Sequence, residues 1–280
     1  MIVQTEKSTP LWGVTQPTLQ TEMETLRTKS TVNVVCMKWG TLYGSEYVNR
    51  LYGMVKRNLQ RPFRFYCITD DFDGIRQEVL LRRMPPFAIP PHITGPWKKL
   101  VMFQRNLFDI EGKTMFLDLD VVIVGSLDRF FDYSDRFCVR HEFDRRKEKD
   151  TFGNTSMYVF TTGAYPEIYE EYFQNQAAIH KKYFTAEQEY VTRTLYSRGE
   201  LEFFPNEWII SFKEHCLPHL PMRWWRVARL PAGASILAFH GRPLPEDALK
   251  GEWPLDGKPF WKAIYKYVRP CTWLEDYWRE

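Results

Sequence analysis

MFLDLDVVIV, Met115 to Val124, breaks an apolar run with two carboxylates, Asp118 and Asp120. Thr114–Leu117 and Val121–Val124 read as strand on either side. Burying charge inside such a run is costly unless it is paired or metal-bound. If the backbone stays extended, its period of two puts both carboxylates on one face. Two oxygen ligands at a strand end suit a hard divalent cation, Mn²⁺ or Mg²⁺, whose open positions accept phosphate oxygens. The competing reading is a strand end running into a turn of solvated Asp residues.

Strand and helix patterns alternate outward from this stretch. Val32–Met37 reads as a buried strand. Ser45–Leu59 carries Tyr47, Val48, Leu51, Tyr52, Val55 and Leu59 at helical spacing. Phe63–Thr69 is a second strand and Val79–Leu81 a short third. The stretch from Trp97 to Leu107 reads as a helix. This order predicts parallel pairing in a Rossmann-like α/β sheet, with ligands beyond the C-terminal strand ends. The loops after Met37, Thr69 and Leu117 then share one rim. Downstream, Met157–Phe160 and Ile236–Phe239 read as strands, and Tyr165–Asn175 and 186–196 as helices. Glu142–Asp150 is a charge run expected on a solvated face.

The chain has 280 residues, is 44% hydrophobic and carries a net charge of only +3. That length allows a closed core, and the weak charge argues against nucleic acid as a partner. No apolar run reaches membrane-spanning length, and the first residues lack a signal-peptide pattern. Five widely spaced cysteines with no paired motif read as buried free thiols in a reducing, cytoplasmic setting. Residues 1–31, rich in Thr, Gln, Glu and Pro, read as a flexible or loosely docked arm, with a short helix over Glu22–Lys29. Residues 246–280 form an aromatic and basic tail, expected to be helical. Lys262, Lys266 and Arg269 interleave there with Trp261, Tyr265 and Tyr267, a mixture that suits either packing on the domain or contact with the inner face of a membrane.

Taken in order, these features resemble the nucleotide-sugar glycosyltransferases of the GT-A fold, in particular the glycogenin-like family eight. The likeness runs over residues 32–245 and implies a single domain with a Rossmann-like mixed central sheet flanked by helices. The first strand leads through Met37, Lys38 and Trp39 to Tyr43, where the family holds its nucleotide base. Lys99 in GPWKKLVMF matches a family lysine. Asp118-Leu119-Asp120 matches its D-x-D. FGNTSMYVF, Phe152–Phe160, resembles a strand that lines the donor sugar, with Asn154 and Ser156 in place. The Glu187-Gln188 pair stands where the family has Asp-Gln. AFHGRPLP, Ala238–Pro245, resembles its closing metal-binding segment. Two departures stand out. His240 directly precedes Gly241, whereas the family's His lies three residues before its Gly. Leu244 replaces the family's phosphate-binding lysine, a role left empty or passed to Arg242.

The resemblance implies a metal-dependent transferase moving a sugar from a nucleoside-diphosphate sugar, UDP in most of the family, to a saccharide or lipid-linked saccharide, with retention. The expected metal set is Asp118, Asp120 and His240. The expected donor site is Met37, Lys38, Trp39, Tyr43, Lys99, Asp118, Leu119, Asp120, Asn154, Ser156, Gly241 and Arg242. Gln188 is expected nearest the anomeric carbon, with Glu187 as the alternative. Trp208 is expected to stack on the acceptor sugar; Trp97 is placed around donor and acceptor, and the pair Trp224-Trp225 is open to acceptor stacking or packing. Two rival readings use the same residues. One is a haloacid-dehalogenase-type phosphatase, for which FLDLDVV supplies a nucleophile and a general acid. The other is a non-catalytic sugar-binding protein.

Overall fold

The computed structural model describes residues 30–90, 92–93, 95–143, 152–183 and 187–280. Residues 1–29 of the predicted 1–31 arm and most of the charge run at 142–150 lie outside the described residues.

Strands β1 (Val32–Lys38), β2 (Phe63–Thr69), β3 (Leu80–Arg83), β4 (Lys113–Leu117), β6 (Phe137–His141), β7 (Gly153–Thr161) and β8 (Leu201–Phe203) form one seven-stranded sheet, in the order β3-β2-β1-β4-β7-β6-β8. β1, β2, β3 and β4 are parallel, as the alternating pattern predicts. β7 runs antiparallel to both β4 and β6, which makes the sheet mixed. A second sheet of three short strands has the order β5-β10-β9, from Val121–Ile123, Ile236–Ala238 and Ile209–Ser211.

Side-chain alternation divides the large sheet's interior into two cores. On β1, Val32, Val34 and Cys36 enter one core while Val35 and Met37 enter the other. Met115, Leu117, Met157 and Val159 face the first core; Phe116, Tyr158 and Phe160 face the second. The helix Ser45–Asn58 covers the first core with Tyr47, Val48, Leu51 and Val55, which accounts for its periodicity. In the second core Phe116 stacks on Tyr158 at 4.8 Å and Phe137 on Tyr158 at 5.0 Å, so a share of the aromatic content is packing. All five cysteines are buried free thiols.

The D-x-D stretch is the join between the two sheets. β4 ends at Leu117, the chain turns through Asp118-Leu119-Asp120, and β5 begins at Val121. The Asp118 amide donates to the carbonyl oxygen of Ser156 at 2.8 Å, and Asp120 accepts from the Phe239 amide at 3.0 Å. One end of the turn is thus pinned to β7 and the other to the residue that follows β10. The expected extended backbone is absent, yet both carboxylates still reach one cavity wall.

Two expected helices come out differently. Trp97–Phe103 is a 3₁₀ turn, and the chain cannot continue as a helix to Leu107 and beyond, because Gln104 is extended and Phe108 and Asp109 have φ of 52° and 58°. The C-terminal region is a six-residue helix, Pro245–Lys250, followed by 3₁₀ turns at Phe260–Ile264 and Thr272–Asp276. Pro254, Pro259 and Pro270 interrupt any longer helix. The far end of this region is core: Val268, Cys271, Leu274 and Trp278 belong to the first core. Arg57 donates to the carbonyl oxygens of Tyr277, Arg279 and Glu280, and Arg50 lies 3.9 Å over the Trp278 ring. Among the described residues no helix is long and apolar enough to cross a membrane.

Candidate active site

Two cavities meet along one wall. Pro96, Lys99, Asp118 and Asp120 line both. The first is completed by Met37, Trp39, Leu42, Tyr43 and Leu119, and is largely apolar. The second is completed by Glu142, Asn154, Ser156, Glu187, Gln188 and His240, and is largely polar. The first lies at the C-terminal ends of β1 and β4 and the second beyond that of β4, the rim expected for a parallel α/β sheet.

The loop after β1 builds the first cavity. Gly40 has φ of 64°, a conformation side chains disfavour, and its amide donates to Asp70 Oδ2 at 3.2 Å. That turn carries the chain to Tyr43, whose hydroxyl donates to Asp120 Oδ2 at 3.1 Å. Burial, then the Asp120 charge, raises the Tyr43 phenol well above its ordinary range, so it stays a donor. The Tyr43 ring lies 4.8 Å from Tyr47, which in turn donates to Glu246 and meets the edge of Trp278 at 5.5 Å. The flat cavity wall is therefore braced from the C-terminal region.

The shared wall is electrostatic. Lys99 Nζ lies 2.6 Å from Asp118 Oδ1, 2.7 Å from Oδ2 and 3.8 Å from Glu187 Oε1. Burial works to lower the Lys99 pKa, but Asp118 and Glu187 outweigh it and the ammonium is held charged. Burial raises both Asp118 and Glu187 against the pull of that same lysine. Asp120 is pushed up to about 7, by burial first and by the Asp118 charge second. Three carboxylates, Asp120 and Glu187 buried and Asp118 partly so, thus share one cation. Glu187 Oε1 accepts from Thr155 Oγ1 at 2.8 Å, while its Oε2 has no partner among the described residues. A buried excess of negative charge with an unpaired carboxylate oxygen fits a divalent cation.

The second cavity is knitted by side-chain hydrogen bonds. Gln188 Nε2 donates to Glu142 Oε2 at 2.8 Å, and its Oε1 faces Asn154 Nδ2 and the Thr155 amide at 3.5 Å. Asn154 Oδ1 accepts from the Ser156 amide at 3.0 Å. β6 and β7 shift register at Val139/Arg140, directly before the pairing of Arg140 with Asn154. A bulge of this kind re-aims side chains at a strand end.

Most of the sequence-predicted residues come together here: Met37, Trp39, Tyr43, Lys99, Asp118, Leu119 and Asp120 in the shared wall and first cavity, and Asn154, Ser156, Glu187, Gln188 and His240 in the second. Five do not. Lys38 is buried and its Nζ is 3.1 Å from Asp71. Gly241, at φ of 72°, lines neither cavity. Arg242 is held by Asp247 at 2.8 Å and Asp256 at 3.2 Å and lines neither cavity. Trp208 packs 5.3 Å from Phe130 with Arg129 over its ring at 4.3 Å, away from both cavities. Trp97 is fully buried against Tyr172 and His180.

The expected metal triad is not assembled: among the described residues no three His, Cys, Asp or Glu side chains are arranged to hold a metal ion. His240 is engaged with its neighbours. Its Nε2 bonds Ser211 Oγ at 2.7 Å and its ring stacks on Phe143 at 5.0 Å. Burial, then Lys213 and Arg140, lowers its pKa to about 3, so the imidazole is neutral, as a metal ligand must be. Leu42, Pro96 and Glu142 line the cavities without having been singled out from the sequence. Glu142 opens the charge run that reads as solvated, so only its place at the end of β6 distinguishes it.

No protein-family model and no curated protein sequence matches the chain. Solved structures do match its fold. Galactosyltransferase LgtC, in complex with donor and acceptor sugar analogs, has a TM-score of 0.50 and 12% identity over 76% of this chain and 88% of that one. Glycosyltransferase GlyE of Streptococcus pneumoniae TIGR4 has a TM-score of 0.53 and 12% identity, covering 78% of this chain and 56% of that one. The fold is the GT-A fold expected from the sequence.

Proposed function

We propose that the chain is a glycosyltransferase that moves a sugar from a nucleoside-diphosphate sugar to a saccharide or lipid-linked saccharide. The observation that carries this reading is the pair of cavities sharing the wall Lys99–Asp118–Asp120. A nucleoside-diphosphate sugar has the same three parts in the same order: a flat base, a charged diphosphate and a polar sugar. In this reading Tyr43, Trp39 and Met37 receive the base, and Asn154, Ser156 and Gln188 receive the sugar. Fold likeness to two glycosyltransferases supports it.

Asp118 and Asp120 are the residues that would hold Mn²⁺ or Mg²⁺. His240 could join them by giving up its bond to Ser211. When bound, the cation supplies Lewis-acid stabilisation of the departing diphosphate. Lys99 adds a fixed positive charge at the same wall. Gln188, oriented by Glu142, presents its amide to the sugar and to positive charge growing at the anomeric carbon, as in glycoside hydrolysis. Gln188 is a poor nucleophile. The proposed course is therefore front-face attack with retention, the donor being a UDP-sugar, in keeping with the glycogenin-like resemblance.

A calorimetric screen of nucleoside-diphosphate sugars with Mn²⁺, paired with an assay for released diphosphate, tests the reading. One donor should bind and turn over, and NMR of the product should show the donor's anomeric configuration kept. If no nucleotide sugar binds with any divalent cation, the proposal is wrong. The phosphatase reading has no support from the fold, which is similar to two glycosyltransferases.

A further inference from the structure

Two stretches far apart in sequence meet on one face. Trp224 Nε1 donates to the Ile264 carbonyl oxygen at 3.1 Å, Arg223 to that of Tyr265 at 3.0 Å, and Arg269 to that of Trp224 at 3.2 Å. Side chains of each stretch thus bond the backbone of the other, while several apolar side chains of both stay exposed. Phe260 is 86% exposed, Trp225 66%, Ile264 64% and Trp261 52%, with Leu220 and Met222 beside them. Soluble proteins rarely leave so many large apolar side chains exposed together unless something covers them.

The charge on the same face names the partner. Residues 220–229 and 258–269 carry seven Lys and Arg and no Asp or Glu. The whole chain is only +3, so the other residues together are −4. Positive charge is therefore concentrated on this apolar face. Lys258, Lys262 and Lys266 crowd one another closely enough that the Lys266 ammonium, partly desolvated first and repelled by its neighbours second, is easier to deprotonate than a free lysine. Exposed Trp and Phe among Lys and Arg match a lipid interface, where aromatic rings sit at the headgroup level and cations meet anionic lipids.

We propose that this face, built jointly by residues 220–229 and 258–269, docks on the surface of a bilayer containing anionic lipid. The helical tail expected to do this alone does not exist; two 3₁₀ turns, Met222–Trp224 and Phe260–Ile264, present the side chains together. The face also adjoins the candidate site. Lys213 lines a cavity with Arg223, Tyr265 and Lys266, and its Nζ donates to the carbonyl oxygen of His240, whose ring lines the polar cavity. Resting on the transferase reading, this docking would bring the polar cavity beside the plane in which a lipid-linked saccharide presents its sugar.

Flotation of the full chain with phosphatidylcholine vesicles, with and without 30% phosphatidylglycerol, tests the docking directly. Binding is expected to the anionic vesicles at low salt and to weaken in high salt. The variant W225A/F260A/W261A should lose at least tenfold in bound fraction, and K258E/K262E should lose binding to anionic vesicles and with it the salt dependence. Both should keep the wild-type circular dichroism and donor hydrolysis in solution, since none of these side chains is buried and none lines the site. Absence of binding to anionic vesicles overturns the proposal, as does binding that neither variant changes. Self-association that W225A/F260A/W261A abolishes, without vesicle binding, would make the face a dimer interface. A raised acceptor KM for that variant, with vesicle binding intact, would make it a sugar platform. Either result overturns it. If vesicles bind but no nucleotide sugar is turned over, the docking stands and the transferase reading fails.

Discussion

The two cavities share four residues and differ in how they are made. The first is shaped by packing: Tyr43 is braced by Tyr47, and Tyr47 by Trp278. The second is shaped by side chains bonded to one another, Gln188 to Glu142 and Asn154 to the Ser156 amide. A braced aromatic wall recognises a flat group by shape and little of it has to change. A self-bonded polar wall must trade its internal bonds for ligand bonds, so its orientation is set before the ligand arrives and its contribution falls on the reaction. Binding should therefore respond to the first cavity and turnover to the second.

The wall between them should give the largest effect. Asp120→Asn is expected to cut turnover by about 10³-fold with the fold intact, a loss typical of removing charge stabilisation at a leaving group. Full activity in that variant would remove the shared wall from the chemistry. Next comes Glu142→Gln. Releasing Gln188 should lower kcat by about 10²-fold with donor KM little changed. Steady-state kinetics decide this, and a KM-only effect would erase the division. Tyr43→Ala is expected to raise donor KM by about tenfold through lost stacking, leaving kcat nearly constant. If Tyr43→Ala and Glu142→Gln give the same kinetic signature, the two cavities act as one.

A pH experiment sharpens the role of the wall. Asp120 has a folded pKa of about 7, against about 3.9 in an unfolded chain. The folded state then binds the proton more tightly, so this stabilisation is complete below about pH 4 and lost as pH rises through 7. In EDTA, Tm should fall from pH 5 to pH 8. Mn²⁺ should restore it at pH 8 and have little effect at pH 5, where the proton occupies the site. Asp120→Asn should flatten the dependence. The smallest effect is expected from Trp208→Phe, which should leave acceptor KM unchanged and lower stability by about 1 kcal/mol through lost packing with Phe130 and Arg129.

What was legible in the sequence was local. The helix over Ser45–Asn58 could be read because one of its faces is buried and the other solvated. β1, β2 and β4 could be read because strands buried on both faces are continuous apolar runs. Asp118 and Asp120 stood out because two charges in such a run need a reason. Glu142 did not, since a carboxylate at the head of EFDRRKEKD looks like any solvated acid. The ion pairs of Arg242 were hidden for the converse reason: the sequence offers a cation in that segment, and nothing local shows that Asp247 and Asp256 bond it.

The sequence alone determined the α/β class and singled out the two carboxylates of the D-x-D. Each depends on side-chain period or on the cost of burying a charge, and both are properties of neighbouring residues. The tertiary structure decided that the D-x-D is a turn joining two sheets, that Gln188 is held by a carboxylate 46 positions earlier, that His240 is bonded to Ser211, and that residues 220–229 and 258–269 make one face. Those facts depend on strand register and on which of several partners a polar group meets first, and such contacts between distant positions leave no period in the chain.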